Sequence, residues 1–391
     1  MKKFIITIVA TLVLASVAYA QEVKEDFVSL STNQWGKEYP KANSQGYVRN
    51  QVYAPEAYRV QFQINGIVFP MSRDTEGYWT GTSTQPFDEG NHYYAIIVDG
   101  VEVPDPNSVF LYGSGAERTQ IEIPAHDQDK YALRDVPHGQ IRELYIKSSV
   151  TGQHRHIFVY TPPMYDNVKT KYPVLYLLHG AGGDEEAWIS MGRTAQILDN
   201  LIEKGLAEPM IVVMPNGNAN QQAAVTLNIP TAPQPDWRQM QEQFANMPEA
   251  ERTRAMNSYV VSLCEEIVPF IEKNFRAIAK PEARTIAGLS MGGGHTITAS
   301  ILYPQLFDYI CPLSAAGSAT AEQIANLKKA GVKLYFLACG NTDFLFEGSK
   351  TLDKTLTEQG LDHIFYVSDG GHVWANWRLY LNTFAPMLFK K

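Results

Sequence analysis

Gly288-Leu289-Ser290-Met291-Gly292 sets a serine between glycines two residues before and after it, and Gly293 and Gly294 follow. Five residues with three fixed recur by chance, so the spacing alone says little. Its context gives it weight. The apolar run RTIAGL leads into the serine and a helix-period segment leads away, as a sharp strand-to-helix turn requires. Such a turn needs small neighbours, because side chains there would block the strained serine backbone. It lifts the hydroxyl out of the sheet, beside a helix N-terminus. A serine hydroxyl is a weak nucleophile until a base takes its proton, and the base needs a partner that fixes its tautomer. In chains with this turn the acid comes next in the sequence and the histidine last.

Three histidines follow Ser290: His295, His363 and His372. His295 lies one turn along the serine's own helix and should project away from the hydroxyl. His363 starts a strand among polar neighbours, which suits the surface. His372 follows a strand and the turn Asp369-Gly370-Gly371, where a loop can carry an imidazole across the sheet edge. It is the expected base. The acid should end an intervening strand. Lys333–Cys339 is that strand and Gly340-Asn341-Thr342-Asp343 the loop after it, so Asp343 is preferred. Asp369 is its rival, but a turn or capping role fits it better. Acyl transfer also needs donors for an oxyanion. The N–H of Met291 should be one, and Ala181, in His179-Gly180-Ala181-Gly182-Gly183 after the first long strand, should supply the other. His179 is expected to brace that loop. His154 and His156 flank Arg155 without a third ligand nearby, so no metal site is expected, and no nucleotide-binding glycine pattern suggests a cofactor.

Two regions of different period must position these groups. From about residue 45 to 125 short strands alternate with turns: Tyr58–Asn65, Tyr78–Thr84, His92–Val98 and Gln120–Ile123. No helix period interrupts them, which predicts a small antiparallel β-sandwich over 21–125. The polar stretch 126–138 reads as a linker. Over 139–391 a hairpin, Arg142–Ser149 with His156–Thr161, precedes the apolar strands Pro173–His179, Met210–Met214, Arg284–Leu289, Tyr309–Leu313, Lys333–Cys339 and His363–Val367. Helix-period segments separate them at Ser258–Phe275, Gly292–Tyr303, Ala321–Ala330 and Ser349–Gln359. Strands apolar on both faces, alternating with helices, predict a mostly parallel sheet covered on both sides. With the serine turn, this is an α/β-hydrolase fold. Asn218–Asn257, with four prolines, fits neither period and reads as an excursion forming one wall of the site.

The first twenty residues stand apart. Lys2 and Lys3 precede the apolar run Phe4–Val17, and Ala18-Tyr19-Ala20 is a small-x-small cleavage signal. A membrane anchor is the alternative, but the run is short for a span. Residues 1–20 are therefore expected to direct export to the periplasm or the outside. No other stretch is long and apolar enough to span a membrane. Cleavage removes two lysines and no acids, taking the formal net charge from −8 to −10, which gives nucleic acid no purchase. Cys264, Cys311 and Cys339 all sit in apolar stretches and are expected to be buried thiols.

Together HGAGGDEEAW at 179–188, GLSMGG at 288–293, ACGNTDF at 338–344 and GGHVWANWR at 370–378 resemble carbohydrate esterase family 1, the feruloyl and acetylxylan esterases. The resemblance spans about 138–391 and implies Ser290, Asp343 and His372 as the triad. The N-terminal region resembles the family-48 carbohydrate-binding module, through DGVEVPDPNS at 99–108 and IEIP at 121–124, which implies a small all-β immunoglobulin-like sandwich. Trp79, Tyr93 and Tyr94 are available there for a sugar, although tandem aromatics more often form sandwich core. The implied reaction is release of ferulate from feruloylated xylan and its oligosaccharides. Trp188 and Trp374 would wall the pocket, whereas Trp377 would pack the helix after His372. Acetylxylan is the second substrate, a siderophore lactone the third. A silent glycan-binding protein has no use for an intact triad.

Overall fold

The computed structural model describes residues 22–113, 115–218 and 246–390. Residues 1–20, read above as an export signal, and most of the excursion, 219–245, lie outside the described residues.

The N-terminal region is all β. A five-stranded sheet joins Val28–Ser29, Lys41–Ala42, Val48–Tyr53, Tyr78–Thr82 and Ser72–Arg73, in that order. The second sheet runs Phe110–Gly113, Ala116–Ile123, Gly90–Val98, Val60–Ile64 and Ile67–Pro70, and Val101–Val103 also pairs with Gly90–Val98. Strict alternation decides the faces. In Val60–Ile64 the residues Val60, Phe62 and Ile64 are buried, while Gln61 and Gln63 face outward and are only half-buried. The inward set packs with Val48, Trp79, Tyr94, Ile96 and Ile121 into one core. Trp79 and Tyr94 therefore belong to that core.

The C-terminal region is built on eight strands: β1 (Gln140–Lys147), β2 (His154–Thr161), β3 (Val174–Leu178), β4 (Ile211–Pro215), β5 (Arg284–Leu289), β6 (Tyr309–Leu313), β7 (Leu334–Gly340) and β8 (Ile364–Ser368). Their order is β1-β2-β4-β3-β5-β6-β7-β8. The β1–β2 and β2–β4 pairings are antiparallel and all the others parallel. This is the α/β-hydrolase fold. Every residue of β3 is buried, and successive side chains enter opposite layers. Val174, Tyr176 and Leu178 meet helices 258–274, Met291–Leu302, Ala321–Ala330 and Phe346–Glu358. Leu175 and Leu177 meet Thr194–Glu203 and Trp374–Phe384. The segment expected as one helix over Ser258–Phe275 is continuous but passes through a wider π turn at Leu263–Ile267.

The two regions are packed together. Tyr93 and Leu111 of the sandwich lie against the apolar layer that holds Trp374 and Trp377. A side chain at Gly90 would come within 3.2 Å of Ala375 Cβ. Cys264, Cys311 and Cys339 are buried and unbridged.

Candidate active site

Parallel strands place their C-terminal ends along one edge, and ligands bind in the crevice outside it. Ser290 follows β5, Asp343 follows β7, His372 follows β8, and the loop 179–183 follows β3. All reach that edge by strand direction alone.

Ser290 sits at φ 54° and ψ −115°, a conformation that side chains rarely adopt. The glycines make it feasible. A Cβ on Gly288 would lie 2.5 Å from the Gly292 carbonyl carbon, and one on Gly292 would lie 2.6 Å from the carbonyl oxygen of His179. The Ser290 N–H donates to Leu313 O at 2.9 Å. The helix Met291–Leu302 starts directly after it, so the N–H groups of its first turn have no partner within the helix. Gly180 closes from the other side: a Cβ there would stand 3.3 Å from Ser290 Cβ. Ala181 is the exposed next residue.

His372 and Asp343 are brought together. The His372 Nδ1–H donates to Asp343 Oδ2 at 2.9 Å, which leaves Nε2 as the basic nitrogen. The Asp343 side chain has no exposure. Burial works to raise its pKa, but bonds from His372 and from the Leu345 N–H outweigh this and hold it below the usual range. Asp369, the rival acid, instead accepts from Asn341 Nδ2 at 2.9 Å. His363 bonds Asp353 at 2.9 Å, away from the serine. His295 lies against Tyr259, and burial pushes its pKa down to about 4. His179 braces its loop. Its Nε2 accepts from the Gly217 N–H at 2.7 Å, so the proton sits on Nδ1 and is given to Gly180 O at 2.8 Å.

Of the tryptophans, Trp374 and Trp377 line a pocket beside His372. Trp188, expected as a wall, is in the core instead. It is 1% exposed, donates its N–H to Leu178 O, and supports Trp374 edge-on at 5.4 Å. Trp377 stands edge-on to the His372 ring at 5.0 Å and donates to Ser314 Oγ.

That pocket, of about 530 Å³, has a second wall from the sandwich: Gln63, Asn65, Tyr93, Glu102 and Arg118. Glu102 takes bonds from both Gln63 and Arg118. The sandwich also reaches the β3 loop, where the Gly115 N–H donates to Gly182 O at 2.7 Å. Of these the sequence offered only Tyr93; it carried no sign of Gln63, Asn65, Glu102 and Arg118, because outward polar residues on a strand look like any solvated face. Phe344 was within reach of the sequence, since it belongs to the motif that carries Asp343. It is 75% exposed, and its ring lies 4.5 Å from that of His372. Among the described residues no three His, Cys, Asp or Glu side chains are grouped to hold a metal, and no helix is long and apolar enough to cross a membrane.

Residues 148–330 match the family model of putative esterases. An endo-1,4-β-xylanase/feruloyl esterase of Xylanibacter ruminicola is 37% identical over 378 residues, covering 94% of this chain and 48% of that protein. The chain thus spans about half the length of that relative. An acetyl esterase of Caldicellulosiruptor saccharolyticus is 24% identical, over 57% of this chain and 84% of its own. Among solved structures, a ferulic acid esterase superposes with a TM-score of 0.52 at 25% identity, covering 64% of this chain and 98% of its own. The enterobactin esterase FES of Shigella flexneri shares the fold with a TM-score of 0.60 at 17% identity, over 88% of this chain and 92% of its own. In sequence and in fold the chain resembles the feruloyl esterases of carbohydrate esterase family 1.

Proposed function

We propose that this chain is a serine carboxylic-ester hydrolase that releases ferulate from feruloylated xylan through an acyl-enzyme on Ser290. One arrangement carries the reading: a histidine held through Nδ1 by a buried carboxylate, on the same sheet edge as a serine at a strained strand-to-helix turn. Ser290 Oγ attacks the ester carbonyl while His372 Nε2 takes its proton. Asp343 holds the ring and steadies the imidazolium. The N–H groups of Met291 and Ala181 receive the negative charge on the carbonyl oxygen. Collapse expels the sugar alkoxide, which takes the proton from His372. Water then repeats the sequence on the acyl-enzyme and frees the acid.

The pocket beside His372 suits the sugar side of such an ester. Gln63, Asn65, Glu102 and Arg118 offer hydrogen-bonding groups, and Tyr93 and Trp374 offer flat apolar faces. The carbohydrate-binding-module likeness of region 21–125 fits that use. The names of two relatives bear on the acyl group: feruloyl for one, acetyl for the other. The deciding experiment measures ferulate and acetate released from one arabinoxylan. Ferulate should appear faster; acetate alone would transfer the assignment to the acetylxylan reading. Residues 1–20 are read as a cleaved export signal, placing the enzyme where plant polysaccharide is found.

The acid is open to a direct comparison. Asp343→Asn should lower kcat by about 10³- to 10⁴-fold, since the amide cannot favour the productive tautomer. Asp369→Asn should stay within about threefold of wild type, because it removes a turn contact only. Steady-state rates on p-nitrophenyl acetate decide the matter, and a larger loss at Asp369 would reverse the assignment.

A further inference from the structure

The loop after β3 is tied to the sheet by buried charges that acyl transfer does not use. Glu185 is 7% exposed. Its carboxylate accepts from His156 Nδ1 and, at 2.6 Å, from Asn216 Nδ2. His156, on β2, turns its Nε2 to Glu143 at 2.9 Å and stacks flat on Tyr145, with centroids 4.4 Å apart. With both ring nitrogens on carboxylates, the imidazole is held as the cation. Burial opposes that charge, but Glu185 and Glu143 outweigh it and raise the pKa. Burial likewise opposes the Glu185 carboxylate, and the bonds from its partners still hold its pKa low.

The short segment after β4 completes the tie. Asn218 Nδ2 donates to Gly183 O at 3.0 Å, and the Gly217 N–H donates to His179 Nε2 at 2.7 Å. Arg155, also on β2, donates to the carbonyls of Asn216 and Asn218. His179, Gly183 and Glu185 are each pinned in this way, and between them lie Gly180, which stands against Ser290, and the exposed Ala181.

Apolar side chains of equal volume would hold a loop on a sheet as firmly, without the cost of burying charge. Charged hydrogen bonds add a fixed direction. Direction is what an oxyanion donor needs, since it must point at the charge before the charge develops. We infer that Glu185, clamped by His156 and Asn216, is a positioning residue that orients loop 179–185 so that the Ala181 N–H meets the tetrahedral intermediate. The inference rests on Ala181 being the second oxyanion donor, and Glu185 itself touches no reacting atom.

The test uses the full-length protein and p-nitrophenyl acetate, so that it does not depend on acyl preference. Three quantities are read: kcat per active site titrated with a fluorophosphonate, KM, and affinity for an arylboronic acid, whose serine adduct is tetrahedral. Glu185→Gln keeps the size and loses the charge. It should lower kcat per titrated site by about 10- to 100-fold, towards the loss of one oxyanion donor, with KM within about twofold. Boronate affinity should fall by a similar factor. Asn216→Ala, which leaves Glu185 on His156, should show a smaller loss in the same sense and carries the test if the first variant does not fold. A folded variant with unchanged kcat per titrated site overturns the inference, whatever its melting temperature. So does a loss confined to KM. A wild-type enzyme that does not bind the boronate overturns the oxyanion-hole assignment itself, a separate failure.

Discussion

Ser290→Ala should lower kcat by about 10⁴-fold or more while leaving the protein folded, because the serine and histidine of such a triad act as one unit. The structure explains why the fold should survive. Alanine meets the same backbone restriction as serine at φ 54°, so the substitution adds no strain at the turn. Among the described residues the turn is held by the main-chain bond from Ser290 to Leu313, which the substitution leaves in place. Activity on p-nitrophenyl acetate and thermal unfolding are the two measurements. The residual rate should still exceed that of water by up to about 10³- to 10⁴-fold, from the oxyanion donors and binding alone. A fluorophosphonate should label the wild type at Ser290 and leave the variant untouched. A near-native rate from verified alanine protein would remove the nucleophile and the whole reading with it.

How much of this was legible beforehand depends on the range of the interaction. The C-terminal strands were readable because burial on both faces writes continuous apolar runs; RTIAGL is β5 to the residue. The serine turn and the Asp343 loop were readable because each is local, a few residues set by one backbone geometry. Several short sandwich strands were not foreseen. Ile67–Pro70 is one, although Asn65-Gly66, at φ 49° and 84°, is a strong hairpin signal. Lys41–Ala42 and Ser72–Arg73 are two-residue strands with no period to detect. The helix Thr194–Glu203 also went unread, though Ile197, Leu198 and Leu201 recur at helical spacing on its buried face. Trp188 was misplaced for a different reason. Motif membership says that a residue lies near the site, and burial alone says on which side. The network around Glu185 joins residues 143, 156, 185 and 216, and no spacing rule connects positions so far apart.

Glu122→Ala should destabilise the protein by about 3–5 kcal/mol, the loss expected when one partner of a buried ion pair is removed and the other charge stays behind. Glu122, on sandwich strand Ala116–Ile123, meets Arg378 fork to fork at 2.5 and 3.0 Å. Their side chains are 5% and 2% exposed. Arg378 belongs to the helix after His372, and its Nε also donates to Met191 O at 2.6 Å. Tyr131, in the connecting stretch, lies under its guanidinium at 4.5 Å. Without Glu122 that charge remains enclosed between the two regions, against the helix that follows the catalytic loop. The denaturation midpoint should fall, and kcat should fall with it as the His372 loop loosens. Replacing both partners by methionine should recover much of the stability, since apolar packing can take the place of a buried pair. A chain beginning at His138 keeps every proposed catalytic residue yet loses both Glu122 and the cover that Tyr93 and Leu111 give. It should therefore aggregate or melt earlier. An unchanged midpoint in Glu122→Ala, together with a soluble truncated chain of wild-type melting temperature, would show that the sandwich is a separable module and that the buried pair is incidental.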